Sequence, residues 1–263
     1  MTVASVPSAD LGAIISRLRA AGCVFAEDEA ALVAETARDA AELDVLTDRR
    51  VSGEPLEYVL GWASFRGLRI AVDPGVFIPR RRTEFLVAEA LRVTEPGAVV
   101  VDLCCGSGAL GAAVAAEQQV SLHAADIESA SVQCAMRNLA PSGGAVYQGD
   151  LYDALPAELR GQIDVLLANV PYVPTEEIRL LPAEARLYEP HVTLDGGPDG
   201  LSLLRRVVAQ AHEWLSPGGH VFVEVSERQA PLACGVFVEH GLAAEVTVDE
   251  ELGANVVHGT YLG

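Results

Sequence analysis

Asn169-Val170-Pro171-Tyr172 sets an amide, a rigid turn and a phenol ring directly behind the apolar run Ile163 to Ala168. That run reads as a buried strand. Open α/β sheets bind ligands at the carboxyl ends of their strands, so polar and aromatic groups placed there form a candidate site. Taken alone, the tetrapeptide reads equally as a turn, an Asn ahead of a Pro. Its weight comes from what precedes it.

A second apolar run leads into Asp102-Leu103-Cys104-Cys105-Gly106-Ser107-Gly108. Glycine lets backbone approach a ligand closely at the mouth of a helix. A tight strand-to-helix turn is the plainer reading, and the nucleotide-binding glycine pattern is only partly present. Acids at successive strand ends favour a cofactor. Asp126 follows the glycine turn by about 20 residues, where a carboxylate accepts from ribose hydroxyls. Asp150, after the next strand, is placed to accept from an adenine amino group. Each acid singly also suits a helix cap or a solvated loop. An anion at Asp102 would repel a diphosphate, whereas a cofactor with sulfonium and ammonium groups is attracted. The combination points to S-adenosylmethionine and methyl transfer.

These groups need a scaffold. From about Phe77 onward, strands alternate with helices: strands at Ala98 to Leu103, Val120 to Ala125, Ala145 to Gln148, Ile163 to Ala168 and His220 to Val225. Helices are expected at Ala109 to Ala116, after Asp126 through Asn138, and at Leu201 to Leu215, capped by Asp199 and broken at Pro217-Gly218-Gly219. Two tail strands, Gly241 to Val248 and Ala254 to Leu262, complete seven. Alternation of this kind implies a doubly wound, Rossmann-like α/β sheet. The first part differs. Leu11, Ile14, Ile15 and Leu18 fall on one helical face, and Ala30 to Leu46 continues at similar periods. Asp10 and Asp28 are candidate N-caps. Trp62 to Val72 suggests a short hairpin, and Asp73-Pro74-Gly75 a boundary. The expected organisation is a small helical domain over 1–75 and a catalytic domain over 76–263.

Composition narrows the classes. The formal net charge of −19 argues against a phosphate-neutralising nucleic-acid surface and suits a cationic cofactor or a basic partner. All 18 basic residues are Arg, so neither P-loop nor Schiff-base lysine chemistry is available. No apolar run approaches the roughly 20 residues needed to cross a bilayer, and Met1 to Asp10 does not read as a signal peptide. Five cysteines, odd in number and without paired metal spacing, indicate reduced thiols and a cytoplasmic protein. No metal is expected.

Longer motifs carry a resemblance. Arg50-Val51-Ser52-Gly53-Glu54-Pro55-Leu56-Glu57-Tyr58-Val59-Leu60-Gly61, Val72 to Arg80 with Thr83-Glu84, the glycine turn, Asp126, Asp150, and Asn169 to Pro174 belong to it. So do Tyr188-Glu189-Pro190-His191, Leu194-Asp195-Gly196-Gly197 and Asp199-Gly200-Leu201. Together they resemble the protein-glutamine N5-methyltransferases (the HemK/PrmC family), which use S-adenosylmethionine. The resemblance implies that Asn169 and the Val170 carbonyl grip the N–H bonds of a planar substrate nitrogen, with Pro171 and Tyr172 completing the catalytic motif. It implies cofactor contacts from Phe77, Pro79, Arg80, Asp102, Cys104, Gly106 and Gly108. Asp126, Ile127, Asp150, Leu151 and Asn169 complete that set, and Ile78 and Glu84 are expected to help cover it.

The chain departs from the family pattern in three places. Val170 stands where the family has the first Pro of Asn-Pro-Pro-Tyr. Arg81 and Arg82 replace Pro and Glu in its Pro-Arg-Pro-Glu-Thr-Glu. Cys104 and Cys105 replace small residues in the cofactor turn and read as apolar filler. The implied function is methylation of a glutamine side-chain amide in a protein such as a peptide chain release factor, by a monomer or weak dimer that binds neither nucleic acid nor membrane. The alternatives are N-methylation of a small-molecule amide or amine, and a cofactor-binding protein without activity.

Overall fold

A computed structural model describes residues 8–263 of the chain, with side chains from residue 11. Four helices come first: α1 (Ser8–Ala20), α2 (Ala26–Thr36), α3 (Ala40–Val51) and the short α4 (Leu56–Leu60). The expected continuous helix over Ala30 to Leu46 is two helices. The chain breaks at Ala37 to Asp39, and the Asp39 carboxylate caps α3 by accepting the Glu42 N–H at 2.8 Å. Neither Asp10 nor Asp28 is a cap: α1 starts at Ser8, and Asp28 lies in the first turn of α2, where its charge suits the helix dipole. These helices share an apolar core built on Leu18, Ala30, Val33, Leu43 and Val59.

The hairpin β1 (Trp62–Phe65) and β2 (Leu68–Ala71) follows, then α5 (Glu84–Leu91). The alternating part runs β3 (Val99–Leu103), α6 (Ala109–Glu117), β4 (Ser121–Asp126), α7 (Ser129–Leu139), β5 (Ala145–Gln148) and β6 (Ile163–Ala168). It continues with α8 (Ala183–Tyr188), α9 (Ser202–Trp214), β7 (Leu215–Val225), α10 (Ala230–Glu239), β8 (Leu242–Asp249) and β9 (Ala254–Tyr261). Pro217-Gly218-Gly219 does not end the secondary structure. It loops out within β7, whose register to β6 shifts between Ile163↔Leu215 and Val165↔His220.

The large sheet has seven strands in the order β5-β4-β3-β6-β7-β9-β8. The first five strands by sequence are parallel, while β9 inserts antiparallel between β7 and β8. Side chains alternate between the faces. Val101, Leu103, Leu166 and Val223 pack against α9 and α10, whereas Val100, Ala124, Val165 and Leu167 pack against α5, α6, α7 and the hairpin. The strand order reverses at β3, since the chain moves outward to β5 and returns on the other side at β6. That reversal opens a crevice beyond the carboxyl ends of β3 and β6. The glycine turn and Asn169 leave those two ends. Among the described residues, no helix is long and apolar enough to cross a membrane.

Candidate active site

A cavity of about 370 Å³ fills the crevice. Phe77, Pro79, Arg80, Cys104, Gly106, Asp126 and Ile127 line it together with Asn169, Val170, Pro171 and Tyr172. Most of the expected site residues therefore come together. Asp102, Gly108, Asp150, Leu151, Ile78 and Glu84 do not form its wall, and each has another role.

Asp102 is 1% exposed and accepts the Gly111 N–H at 3.0 Å, beneath the first turn of α6. Burial, with the nearby Asp126 charge adding to it, pushes its carboxyl up to about 8 against the pull of that N–H. A group so placed is largely neutral at pH 7 and offers no anion to a ligand. Gly108 has φ +76°, and a Cβ there would lie 3.1 Å from the Ala135 Cβ, so it permits the close approach of α6 and α7. The Asp150 carboxylate is paired with Arg206 of α9 at 2.7 Å. Leu151 is buried in the core, Ile78 is buried and its N–H donates to Glu189 at 3.4 Å, and Glu84 accepts the Arg66 N–H at 2.9 Å.

Asp126, in contrast, is turned toward the cavity. Its two oxygens accept the Gly106 and Glu128 N–H groups, each at 2.9 Å, which fixes the carboxylate and leaves lone pairs for further donors. Burial raises its pKa, opposed by those same N–H groups. Cys104 takes a left-handed backbone, φ +55°. Burial pushes its thiol up, and Asp126 and Asp102 push in the same direction, so it stays protonated and acts as filler. All five cysteines are free.

Asn169 holds the most telling group. Its Oδ1 is buried and has no hydrogen-bond partner among the described residues, although buried polar groups are almost always paired. Val170 is 1% exposed and belongs to the main core. No backbone donor among the described residues reaches its carbonyl. The loop that presents these acceptors is clamped. Val173 donates to the Leu194 carbonyl at 3.1 Å, and Gly196 donates back to the Val173 carbonyl at 2.9 Å. A Cβ on Gly196 would sit 2.7 Å from the Pro171 oxygen, so only glycine fits. Gln229 adds Nε2 bonds to the carbonyls of Tyr172 (2.8 Å) and Asp199 (3.0 Å). Asp199 is not the cap of α9; it accepts the N–H of Leu201, which is the cap residue.

Behind this wall are charged residues that local spacing does not mark. Glu189, from the Tyr-Glu-Pro-His motif, pins Arg80. Glu224 of β7 is 2% exposed, and its Oε1 accepts from the Tyr172 hydroxyl at 2.8 Å and from Arg82 Nε at 3.0 Å. Arg82 also donates to the Tyr172 hydroxyl at 2.5 Å. Burial and the Glu224 charge raise the Tyr172 pKa, so the phenol keeps its proton. An acid inside the apolar run His220 to Val225 was the available signal for Glu224. The segment Leu181 to Ala185, which covers the cavity, carried none. Arg50, buried between Glu29 (2.6 Å) and Glu184 (2.7 Å), ties that cover to the N-terminal helices.

Comparison with known proteins adds the family and the fold. The family model of the methyltransferase small domain matches residues 67–187. The release factor glutamine methyltransferase of Geobacter sulfurreducens is 37% identical over 222 residues, 83% of this chain and 77% of that protein. The enzyme of the same name from Streptomyces coelicolor is 39% identical over 198 residues, 73% of this chain and 69% of that protein. Among solved structures, a methyltransferase from Pyrococcus furiosus aligns with TM-score 0.56 at 15% identity, covering 75% of this chain and 90% of that one, a likeness of fold. Family and fold together imply S-adenosylmethionine as the methyl donor. The cavity suits it, since the carboxylate of Asp126 and the open glycine turn offer acceptors and close backbone approach. By its sequence, and with a fold to match, this chain belongs to the release factor glutamine methyltransferase family.

Proposed function

We propose that the protein methylates the side-chain amide nitrogen of a glutamine in a peptide chain release factor. The orphaned Oδ1 of Asn169 on the cavity wall, in a motif whose next residue, Val170, has no backbone donor on its carbonyl among the described residues, carries this reading. A primary amide presents its two N–H bonds in one plane, and a pair of acceptors from neighbouring residues can take both. An amide nitrogen is a poor nucleophile because its lone pair is delocalised into the carbonyl. S-adenosylmethionine, when bound, supplies an electrophilic methyl group. Asn169 and Val170 hold the nitrogen in place and stabilise positive charge as it develops there. The charged nitrogen then sheds a proton to water, so no strong base is required.

Asp126 accepts from the ribose hydroxyls of the donor, Gly106 allows its close approach, and Phe77, Pro79 and Ile127 cover it. Arg80 and Cys104 complete the wall. Tyr172 borders the acceptor side, its hydroxyl fixed by Glu224. Residues 1–75 serve as the substrate-recognition domain, and 76–263 as the catalytic one. Leu180, Leu187 and Val192 are exposed apolar side chains in the segment over the cavity, which suits a protein loop docking there. The net charge of −19 disfavours a nucleic-acid substrate. The protein acts in the cytoplasm, as a monomer or weak dimer.

The test is incubation with labelled S-adenosylmethionine and purified release factors, with the label located by peptide mass spectrometry. Label on a glutamine is expected. Label confined to small molecules, or tight donor binding without turnover, would overturn the assignment.

A further inference from the structure

Arg82, Tyr172 and Glu224 close a triangle of hydrogen bonds at the edge of the active-site cavity. Arg82 donates from Nη2 to the Tyr172 hydroxyl at 2.5 Å and from Nε to Glu224 Oε1 at 3.0 Å. The same hydroxyl donates to that Oε1 at 2.8 Å. The three residues come from the turn before α5, the loop after β6 and the end of β7. About half of the Arg82 side chain is in solvent, whereas Glu224 is buried. Replacing such a buried pair by apolar side chains is often neutral or stabilising, so stability does not account for an acid in this core strand. What the acid and its arginine hold is the phenol that ends the acceptor motif. Ahead of it, Asn169, Val170 and Pro171 make no backbone-to-backbone hydrogen bond among the described residues. The stretch that carries the acceptors is therefore suspended between the end of β6 and Tyr172, whose carbonyl is held by Gln229 at 2.8 Å. Both family departures meet here. Proline at 170 would fix φ, and valine does not. A glutamate at 82, as in the family pattern, would be ionised and could donate nothing to the Tyr172 hydroxyl.

We propose that Arg82 is a positioning residue for the methyl transfer: seated on Glu224, it anchors the Tyr172 phenol and so stiffens an acceptor loop that Val170 leaves freer than proline would. This role rests on the proposed reaction at Asn169. The loop carries both acceptors, Asn169 Oδ1 and the Val170 carbonyl, and a misplacement of about 1 Å at a reacting centre costs on the order of 10²-fold in rate. The planar guanidinium reaches the carboxylate and the hydroxyl with two separate nitrogens. A lysine ammonium is a single point charge and cannot reproduce that fork.

Two measurements test this. The first is turnover of release factor at saturating donor. R82A and Y172F should each lower kcat about tenfold, with donor affinity by calorimetry unchanged, and the double variant should be no slower than Y172F alone, because the arginine acts through the hydroxyl. R82K should recover only part of the loss. V170P should raise kcat by a larger factor in the R82A background than in the wild type, since proline supplies the stiffness that the anchor otherwise gives. Wild-type kcat in R82A, additive losses in the double variant, or an equal effect of V170P in both backgrounds would overturn the role. Should V170P fail to fold, the R82A and Y172F pair decides. The second measurement needs no turnover: NMR of protein carrying [13Cζ]tyrosine, with Y172F assigning the Tyr172 signal. One sharp signal is expected in the wild type and an exchange-broadened one in R82A; equal sharpness would overturn the anchor. If no glutamine is methylated yet the signal broadens in R82A, the reading of the substrate falls and the anchor stands. If wild type and R82A methylate glutamine equally fast, the substrate stands and the anchor falls.

Discussion

Both carboxylate oxygens of Glu189 accept from one nitrogen of Arg80, Nη2, at 2.5 and 2.6 Å, and Oε1 also accepts the Ile78 N–H at 3.4 Å. The pair joins the Pro-Arg segment before α5 to the Tyr-Glu-Pro-His segment after α8, and so closes the cavity from two directions. Glu189 is 6% exposed, and burial pushes its carboxyl up against the pull of Arg80. A carboxylate held there is costly without its arginine.

Replacing Arg80 by Ala therefore leaves a buried, unpaired acid. We expect R80A to lose roughly 2–3 kcal/mol of stability at neutral pH, in line with breaking a partly buried charged pair. Urea unfolding measures this, and an unchanged midpoint would show that the pair is incidental.

Removing the acceptor at Asn169 should act on turnover alone. Asn169→Ala is expected to lower kcat by about 10²–10³, as loss of one oriented polar group at a reacting centre does. Donor affinity by calorimetry should be nearly unchanged. Wild-type rates in this variant would refute the proposed grip.

Asp126→Ala should do the reverse. Losing the fixed acceptor between the Gly106 and Glu128 N–H groups is expected to weaken donor binding roughly 10–100-fold, the scale of charge-assisted hydrogen bonds. Saturating donor should restore much of kcat. A variant that binds the donor normally would remove Asp126 from the cofactor site.

Val170→Pro restores the residue usual in the family. The Val170 N–H has no backbone acceptor among the described residues, so proline deletes no backbone bond there. The cost is apolar packing in the main core, about 1 kcal/mol. The carbonyl stays in place, so kcat/KM should remain within a few-fold. A loss of 10²-fold or more would mean that valine itself shapes the acceptor pocket.

Asp102 gives a pH signature. Its carboxyl ionises near pH 4 in the unfolded chain and at about 8 in the folded one. Between those values the folded state holds a proton that the unfolded state has lost, so stability falls as pH rises toward 8. Asp102→Asn keeps an acceptor for the Gly111 N–H and has no proton to lose. Between pH 5.5 and 8, the wild type should lose about 3 kcal/mol relative to this variant. Parallel stability curves would contradict the shift.

Local pattern carried much of this protein. The strands Ala145 to Gln148 and Ile163 to Ala168 are readable to the residue, because apolar runs end at sharp turn signals. The glycine turn, Asp126 and Asn169 lie at strand ends for the same reason, and the family motifs follow from the order of residues alone. Other features needed the folded chain. Asp102 follows the spacing of a cofactor ligand, yet α6 packs over it and turns it inward to Gly111. Asp150 is drawn to Arg206, 56 residues away. The pairs Arg80–Glu189 and Arg82–Glu224 join residues more than 100 positions apart. Sequence spacing sets which face of a strand or helix a side chain occupies. Which distant charge meets it is decided by how the layers pack, and in this protein that packing turned two of a run of three arginines, Arg80 and Arg82, from a basic turn into part of the active-site wall.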